Sequence, residues 1–275
     1  MLNNWSYPWV LSTIQLGTGS LYCLIQWVTG LREKPNVSPK LIKAMILPTL
    51  AHLTGHVSTC IAFSYVAVSF AHIIKAAEPL FGALGSALVL GEVYSPAVYL
   101  SLLPIIAGVS LSAVTEISFA WPGFLFAMLS NVAFAARNVL SKLTMGEFKS
   151  DKTLTGPNTY GLISVFAFLI EVPLALYFEG IPGLPAKGLW KYLAGSAIFY
   201  HLYNESSFRC LSQVSPVTHA VGNVIKRVSV IVVSLIVFRN PVKPINAAGM
   251  ALAILGTFLY SLLKSMNGKK KAKTA

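Results

Sequence analysis

The sequence predicts an all-α polytopic membrane protein. Hydrophobic residues make up 55% of the chain and charged residues only 11%, whereas a soluble globular domain carries about 25% charged residues. The apolar residues are gathered in long runs, and a helix is the structure that satisfies its own backbone hydrogen bonds in lipid. We therefore expect a single membrane domain that covers residues 1–275.

Five apolar runs in the first part of the chain are each long enough to cross a bilayer as a helix. The first run ends before Arg32 in a basic loop. Later runs are separated by turn signals instead of polar loops, at Ser95-Pro96 and Trp121-Pro122. The predicted segments are 8–31, 41–65, 66–91, 95–115 and 119–144.

Four further runs follow a polar stretch around Lys149. Turn signals at Ser215-Pro216 and Asn240-Pro241 divide the last three of them. The predicted segments are 158–180, 189–214, 215–239 and 241–264, followed by a basic tail at 265–275. Nine transmembrane helices are therefore predicted in this chain.

The basic residues between the runs predict the orientation, because short loops on the cytosol-like side are enriched in Lys and Arg. If the nine segments alternate, one side carries more of these residues and includes the C-terminus. We predict that this side is cytosolic, or stromal in a plastid. The residues on it are Arg32, Lys34, Lys40, Lys149, Lys152, Lys264, Lys269, Lys270, Lys271 and Lys273, against Lys187, Lys191, Arg239 and Lys243 on the other.

Two adjacent cations, Lys226 and Arg227, lie near the middle of the run 215–239. At about 1.5 Å per residue they are roughly 16 Å from either end of this helix, too deep to reach the interface easily. A charge at this depth costs on the order of 2.5 to 3.5 kcal/mol, so it needs a partner or a water-filled cavity. A pair of neighbouring cations favours an anionic ligand.

Other charges within the predicted spans allow two interpretations. Lys75 and Arg137 are cations, while Glu78 and Glu171 are acids. Glu78 shares a helical face with Lys75 and can pair with it, and Glu171 can cancel one more positive charge. In the first interpretation all of these are structural ion pairs. In the second, the excess of cations binds a phosphate ester through Arg and Lys.

The two halves of the chain show a weak internal repeat. The run that contains Gly108 resembles the run that contains Gly256, and Lys75 in the span before the first corresponds to Lys226 in the span before the second. Two similar halves with matching charges near the membrane midplane are typical of transporters built from inverted repeats.

Polar side chains that could line a binding pocket include His56 and Tyr203, for which helix-to-helix hydrogen bonding is an equally good interpretation. His52 and His56 have a spacing that suits a metal, but no carboxylate accompanies them, so we expect no metal site. The sequence has no catalytic triad, paired carboxylates or Gly-rich phosphate loop, so we expect neither an enzyme nor a cofactor.

Two other properties of the chain have simple interpretations. The formal net charge of +12 is concentrated in short loops and the tail, without a nucleic-acid-binding motif, so membrane topology and the lipid surface explain it and no nucleic-acid partner is expected. Cys23, Cys60 and Cys210 all lie in apolar runs, so they are expected to be small buried side chains without disulfides.

Four stretches carry a resemblance to a known family. They are GHVSTCIAFSYVAVSFAHIIKAAEP, SNVAFAARNVLSK, FYHLYNESS and SPVTHAVGNVIKRVSVIVVSLIVFRNPVKPINA. With them, nearly the whole chain resembles the plastidic phosphate translocators of the drug/metabolite transporter superfamily. The resemblance implies a ten-helix, inverted five-plus-five bundle in the chloroplast inner envelope. It also implies an antiporter that exchanges inorganic phosphate for triose phosphate, 3-phosphoglycerate, xylulose 5-phosphate or glucose 6-phosphate by alternating access.

The resemblance also implies which residues bind substrate. Residues of the family's HxIK, SNxxFxxRN and KR motifs hold the phosphate group, and a Ser/Thr, a His and a Tyr contact the rest of the substrate. In this chain the phosphate-binding positions are Lys75, Arg137, Lys226 and Arg227, and the others are Thr59, His56 and Tyr203. The marks of the triose, pentose and hexose phosphate classes are mixed, so the preferred substrate stays open.

A ten-helix pattern implies that its first helix lies largely before residue 1. Residues 1–144 would then form the N-terminal repeat without that helix, plus the span that opens the second repeat, and 145–264 the remainder of the second repeat. A monomer and a homodimer are both compatible with the sequence. The alternative functions are transport of a nucleotide sugar or another metabolite on the same fold and, less favoured, a membrane enzyme that acts on phosphate head groups.

Overall fold

The computed structural model describes the backbone of residues 5–181, 188–213, 216–239 and 242–274. Within these ranges it describes all side chains except those of 208, 210–213, 216–221, 223, 224 and 267–274. The predictions that fall outside the described side chains are those for Lys187, Cys210 and the tail lysines after Lys264. Cys23 and Cys60 are buried free thiols, as predicted.

All regular structure in the described ranges is helical, which confirms the prediction of an all-α fold. The helices are α1 (Pro8–Val28), α2 (Pro39–Tyr65), α3 (Val68–Ile74), a 3₁₀ turn (Lys75–Ala77), α4 (Glu78–Leu90), α5 (Pro96–Leu100), α6 (Leu103–Thr115), α7 (Trp121–Glu147), α8 (Gly156–Glu179), α9 (Trp190–Gln213), α10 (Pro216–Phe238) and α11 (Pro244–Thr274).

Each predicted segment contains one helix or two consecutive ones, and the bounds agree to within a few residues except at the C-terminus. There α11 continues through the basic tail to Thr274, beyond the predicted end at residue 264. The tail contains Asn267 and Gly268, which are poor helix formers, but the lysines and the alanine that follow them are good ones, and the helix continues through them. Among the residues that the structure describes, six helical stretches are long and apolar enough to cross a membrane: Pro39–Tyr65, Val68–Leu90, Pro96–Thr115, Trp121–Glu147, Gly156–Glu179 and Pro244–Met266.

A 3₁₀ turn interrupts the third predicted segment at Lys75. Its cause is Pro79, which has no N–H group and so cannot donate to the carbonyl of Lys75. That carbonyl accepts instead from the N–H of Glu78, three residues on, which tightens the turn. The sequence thus places the backbone irregularity at the lysine that the family resemblance assigns to the phosphate.

The chain forms two compact units. Unit 1 consists of Met1–Ser64 and Ala136–Gln213, and unit 2 of Tyr65–Ala135 and Val214–Ala275. Each unit takes helices from both predicted halves of the sequence. The boundary at residues 135 and 136 lies within α7, so this helix contributes its first half to unit 2 and its second half to unit 1.

Unit 2 is organised around the close packing of α6 against α11. A Cβ atom built on Gly108 would lie 2.6 Å from the carbonyl oxygen of Gly249, and one on Gly256 would lie 2.7 Å from the backbone N of Ile105. Small residues allow two helix backbones to approach this closely. The two segments that the sequence predicted to be repeat equivalents, those of Gly108 and Gly256, are therefore each other's packing partners.

Unit 1 is built on α1, which packs against α8 and α9. Leu16 of α1, Leu53 and Val57 of α2 and Ala167 of α8 form one of its buried apolar clusters. Gly161 of α8 lies against Cys23 of α1, with 3.1 Å between the position of its missing Cβ and the sulfur atom. These contacts bring the polar residues of α2, α8 and α9 into one interior.

Candidate functional site

The seven residues assigned to substrate by the family resemblance fall into both units. Unit 2 contains Lys75 at the end of α3 and the pair on α10, and unit 1 contains the other four. The structure brings members of each set together within their own unit. The set in unit 2 is Lys75, Lys226 and Arg227, and the set in unit 1 is His56, Thr59, Arg137 and Tyr203.

Lys75 is held by α7 within unit 2. Its Nζ atom donates a 2.7 Å hydrogen bond to the hydroxyl of Ser130 and lies 4.5 Å from the ring centre of Phe134. Asn131, next to Ser130, donates a 2.8 Å hydrogen bond to the carbonyl of Ile74 at the start of the 3₁₀ turn. The hydroxyl and the aromatic face together orient the ammonium group.

Lys226 and Arg227 join Lys75 in one cationic cluster. Helix α10 packs against α3, and Lys75, Arg227 and Lys226 all act electrostatically on His72 of α3. The Arg227 guanidinium forms an ion pair with Glu78, at 3.9 Å. Glu78, which the sequence suggested as a partner of Lys75, thus has an ion pair with Arg227. Three cations with one acid among these residues leave this cluster positive, as an anion site requires.

Arg137 lies at the centre of a second cluster, in unit 1. Its Nη1 atom is 3.0 Å from Nδ1 of His52, and its Nε and Nη2 atoms donate to Oδ1 of Asn138 at 3.1 and 2.8 Å. The Tyr200 hydroxyl is 3.4 Å from Nε2 of His52. The Tyr200 ring stacks on the ring of His56, with 4.2 Å between centroids.

From the sequence, His52 is expected to form a helix-to-helix hydrogen bond, and its contact with Arg137 is one; Tyr200 was not considered. The spacing of His52 and His56 shows that they share a helical face, and their ring centroids are 6.1 Å apart. Nothing in the local sequence indicates that Arg137 of α7 packs against that face. His52 is fully buried and His56 nearly so, which makes both part of the interior of unit 1.

Thr59 and Tyr203 lie near this cluster along their own helices. Thr59 follows His56 by three residues on α2, and its hydroxyl donates a 2.8 Å hydrogen bond to the carbonyl of Gly55. Tyr203 follows Tyr200 by three residues on α9, and 44% of its surface is exposed. Both helix positions are compatible with the roles that the resemblance implies, which stay predictions.

Two buried acids in unit 1 have opposite surroundings. The carboxylate of Glu205 accepts from Arg32 and, at 2.6 Å, from Arg209. Both carboxylate oxygens of Glu171 are buried without a hydrogen-bond partner among the described residues, and the polar groups nearby are the hydroxyl of Ser12 and the carboxyl of Glu179. Within the described part of the chain, Glu171 therefore does not cancel a cation as the sequence suggested.

One group of potential metal ligands occurs in the described residues. Single ligand atoms of Cys23, His201 and Glu205 lie within 4.8 Å of one another. Nε2 of His201 is 3.1 Å from one carboxylate oxygen of Glu205, and the guanidinium groups of Arg32 and Arg209 both donate to the other. Two cations on the same carboxylate oppose the binding of a third, so this cluster fits an ion-pair network better than a metal centre.

Comparison with known proteins identifies the family. The model of the Triose-phosphate Transporter family matches residues 1–261. The chain belongs to this family. Its curated relatives include a chloroplastic xylulose 5-phosphate/phosphate translocator of Arabidopsis thaliana, which is 47% identical over 94% of this chain. The chloroplastic glucose-6-phosphate/phosphate translocator 1 of the same plant is 45% identical over 96% of the chain, and a chloroplastic triose phosphate/phosphate translocator of Zea mays is 39% identical over 98%.

The chain is shorter than these family members. It spans 64% of the xylulose 5-phosphate/phosphate translocator, 70% of the glucose-6-phosphate/phosphate translocator 1 and 68% of the maize relative. A solved crystal structure has the same fold, with a TM-score of 0.61 and 14% sequence identity, over 94% of this chain and 88% of that one. All three relatives are named as translocators, and none of the names describes an enzyme.

Proposed function

We propose that this family member is a plastid antiporter that exchanges inorganic phosphate for a phosphorylated C3, C5 or C6 metabolite. The cationic cluster of Lys75, Lys226 and Arg227 in unit 2 is the observation that carries the proposal. A phosphate ester has up to two negative charges and three acceptor oxygens, so it can satisfy several such donors at once. The names of the relatives support this substrate class, and they do not favour the nucleotide-sugar alternative.

Lys75, Lys226 and Arg227 are assigned the phosphate group, together with Arg137 of unit 1. His56, Thr59 and Tyr203 are assigned contacts to the rest of the substrate. Lys75 approaches the ligand as a point charge held by Ser130, whereas each arginine offers a planar fork that matches two phosphate oxygens. Loss of a phosphate-binding residue is therefore expected to weaken the binding of all substrates alike. Loss of His56 or Tyr203 is expected to change the preference among substrates.

The same charges favour strict counter-exchange. Without an anion, cations within a membrane helix bundle repel one another in a medium of low dielectric constant. The conformational change of the empty carrier is then unfavourable, because the charges stay uncompensated during it. A bound phosphate neutralises them, so the loaded carrier can alternate between its two openings.

The proposal also includes a membrane arrangement, which adds detail to the all-helical fold. The nine helical segments are taken as spans of a ten-helix inverted-repeat bundle, with the C-terminus on the stromal side of the inner envelope. The resemblance of the Gly108 and Gly256 segments, which pack on each other, and the distribution of basic loop residues support this arrangement.

Reconstitution into liposomes tests the function. Uptake of radioactive phosphate would be measured into liposomes preloaded with phosphate, triose phosphate, 3-phosphoglycerate, xylulose 5-phosphate, glucose 6-phosphate or no anion. We expect saturable uptake only with certain preloads, which also identifies the substrate class. Equal uptake into liposomes that contain no anion would refute counter-exchange, and no uptake by folded protein under any condition would refute the proposed function.

Matched lysine variants test the site. Lys226→Ala is expected to abolish exchange of every substrate. Lys40→Ala removes a lysine whose side chain is 74% exposed and is paired at 3.1 Å with Glu147, so it controls for the loss of a positive charge and should leave exchange unchanged. Equal activity of the two variants would contradict the assigned role of Lys226.

A further inference from the structure

We propose that His52 and Tyr200 are positioning residues that orient the Arg137 guanidinium and connect it to His56. This inference rests on the proposed function, since it gives Arg137 and His56 their roles with substrate. It goes beyond that function by assigning two residues that bind no substrate themselves.

The first step is the protonation state of His52. An arginine side chain has only donors, so Nδ1 of His52, 3.0 Å from Nη1 of Arg137, must be the acceptor. A histidine with a free electron pair on Nδ1 is neutral and carries its proton on Nε2. The contact with Arg137 therefore fixes one tautomer of His52.

The second step is the contact of Nε2 with Tyr200. Because this nitrogen carries the proton, it donates to the Tyr200 oxygen, at 3.4 Å. The Tyr200 ring in turn stacks on His56 at an interplanar angle of 23°. The four side chains come from α2, α7 and α9 and form a continuous path from His56 to Arg137.

The third step concerns the charge of Arg137. His52 and Asn138 both accept from its guanidinium and both are neutral. These two neutral acceptors fix the direction of the guanidinium, which suits an arginine that is to bind phosphate.

His52 variants separate a positioning role from a packing role. His52→Leu removes the acceptor for Arg137, and since hydrogen bonds to charged groups contribute about 1.5 to 3 kcal/mol, we expect the KM for phosphate exchange to rise about 10- to 100-fold with a smaller change in kcat. His52→Asn places an amide oxygen close to the position of Nδ1 and should restore most of the affinity. Equal KM values for His52→Leu and the unmodified protein, or no rescue by His52→Asn, would overturn the proposal.

Tyr200→Phe tests the second contact with less risk to folding, because the ring that stacks on His56 is retained. We expect an increase of KM smaller than that of His52→Leu. Tyr177→Phe is the control, since Tyr177 is 82% exposed on α8, and it should leave KM unchanged. Identical KM values for the two tyrosine variants would remove Tyr200 from the proposal.

NMR of protein with ¹⁵N-labelled histidine tests the geometry without transport. The chain has five histidines, and the spectrum of His52→Asn identifies the signals of His52. We expect a proton on Nε2 and none on Nδ1. A proton on Nδ1 would overturn the inference whatever the transport result, whereas absence of exchange by the unmodified protein would refute the proposed function and leave the NMR result to decide the His52 contact.

Discussion

Replacing Gly108 by alanine adds one methyl group at a point of close approach between α6 and α11. An ideal Cβ atom at this position would be 2.6 Å from the carbonyl oxygen of Gly249 and 2.8 Å from the Cα atom of Ala253. Ordinary contacts of this kind begin at 3.4 Å. The backbone N of Ala253 is closer still, and since all three neighbours are backbone atoms, no side chain can rotate away and the two helices must separate by about 1 Å.

The expected cost follows from this overlap. Forcing an extra methyl group into a closely packed interface destabilises proteins by about 1 to 3 kcal/mol. For a chain of this size, each kcal/mol shifts the thermal midpoint by about 2 to 4 °C, so Gly108→Ala should lower it by roughly 2 to 12 °C. The midpoint would be measured by intrinsic fluorescence of the purified protein during heating.

Gly82→Ala is the matched control in the same unit. Gly82 lies within α4, and a Cβ atom at its position would meet nothing within 4 Å. Alanine loses less backbone freedom on folding than glycine, so this variant should gain up to about 0.4 to 1 kcal/mol of stability. Its thermal midpoint should therefore stay the same or rise slightly. Equal midpoints for Gly108→Ala and Gly82→Ala would refute the close packing of α6 on α11.

Two further predictions concern buried polar groups. Glu205→Gln removes the buried carboxylate that Arg32 and Arg209 share, and should destabilise the protein by about 3 to 5 kcal/mol. Glu171→Gln should leave the thermal midpoint unchanged or raise it, because no hydrogen bond to the described residues is lost. A larger loss of stability for Glu171→Gln than for Glu205→Gln would contradict these two environments. Ser130→Ala removes the hydroxyl that accepts from Lys75 and should raise the KM for phosphate about 10-fold. Ser101→Ala is the control: it loses a 2.7 Å hydrogen bond to the carbonyl of Val98 and should leave the KM unchanged.

The positions of the helices could be read from the sequence because hydropathy is a local property. Turn signals such as Ser95-Pro96 mark helix starts that the structure confirms, since a proline lacks the N–H group that a continuing helix needs. The predicted apolar segment 241–264 agrees with the apolar stretch Pro244–Met266, whereas the helix that contains it continues to Thr274, which hydropathy alone does not indicate.

The partners of buried side chains could not be predicted in the same way. The sequence indicated that Lys75, Arg137 and Glu78 are deep charges, but it did not indicate the ion pair between Glu78 and Arg227. A one-helix argument considers only neighbours three or four residues away. In a bundle, the nearest opposite charge is often on another helix.

The sequence by itself determined the helical membrane fold, the deep cations and the family resemblance, because composition, periodicity and motifs are written along the chain. Only the tertiary structure decided that α6 and α11 pack through glycines, that His52 contacts Arg137, and that Glu205 is compensated while Glu171 has no hydrogen bond within the described residues. These contacts join residues far apart in sequence, so they depend on which helix faces meet. Which faces meet depends on the packing of whole helices, and no local pattern in the sequence indicates it.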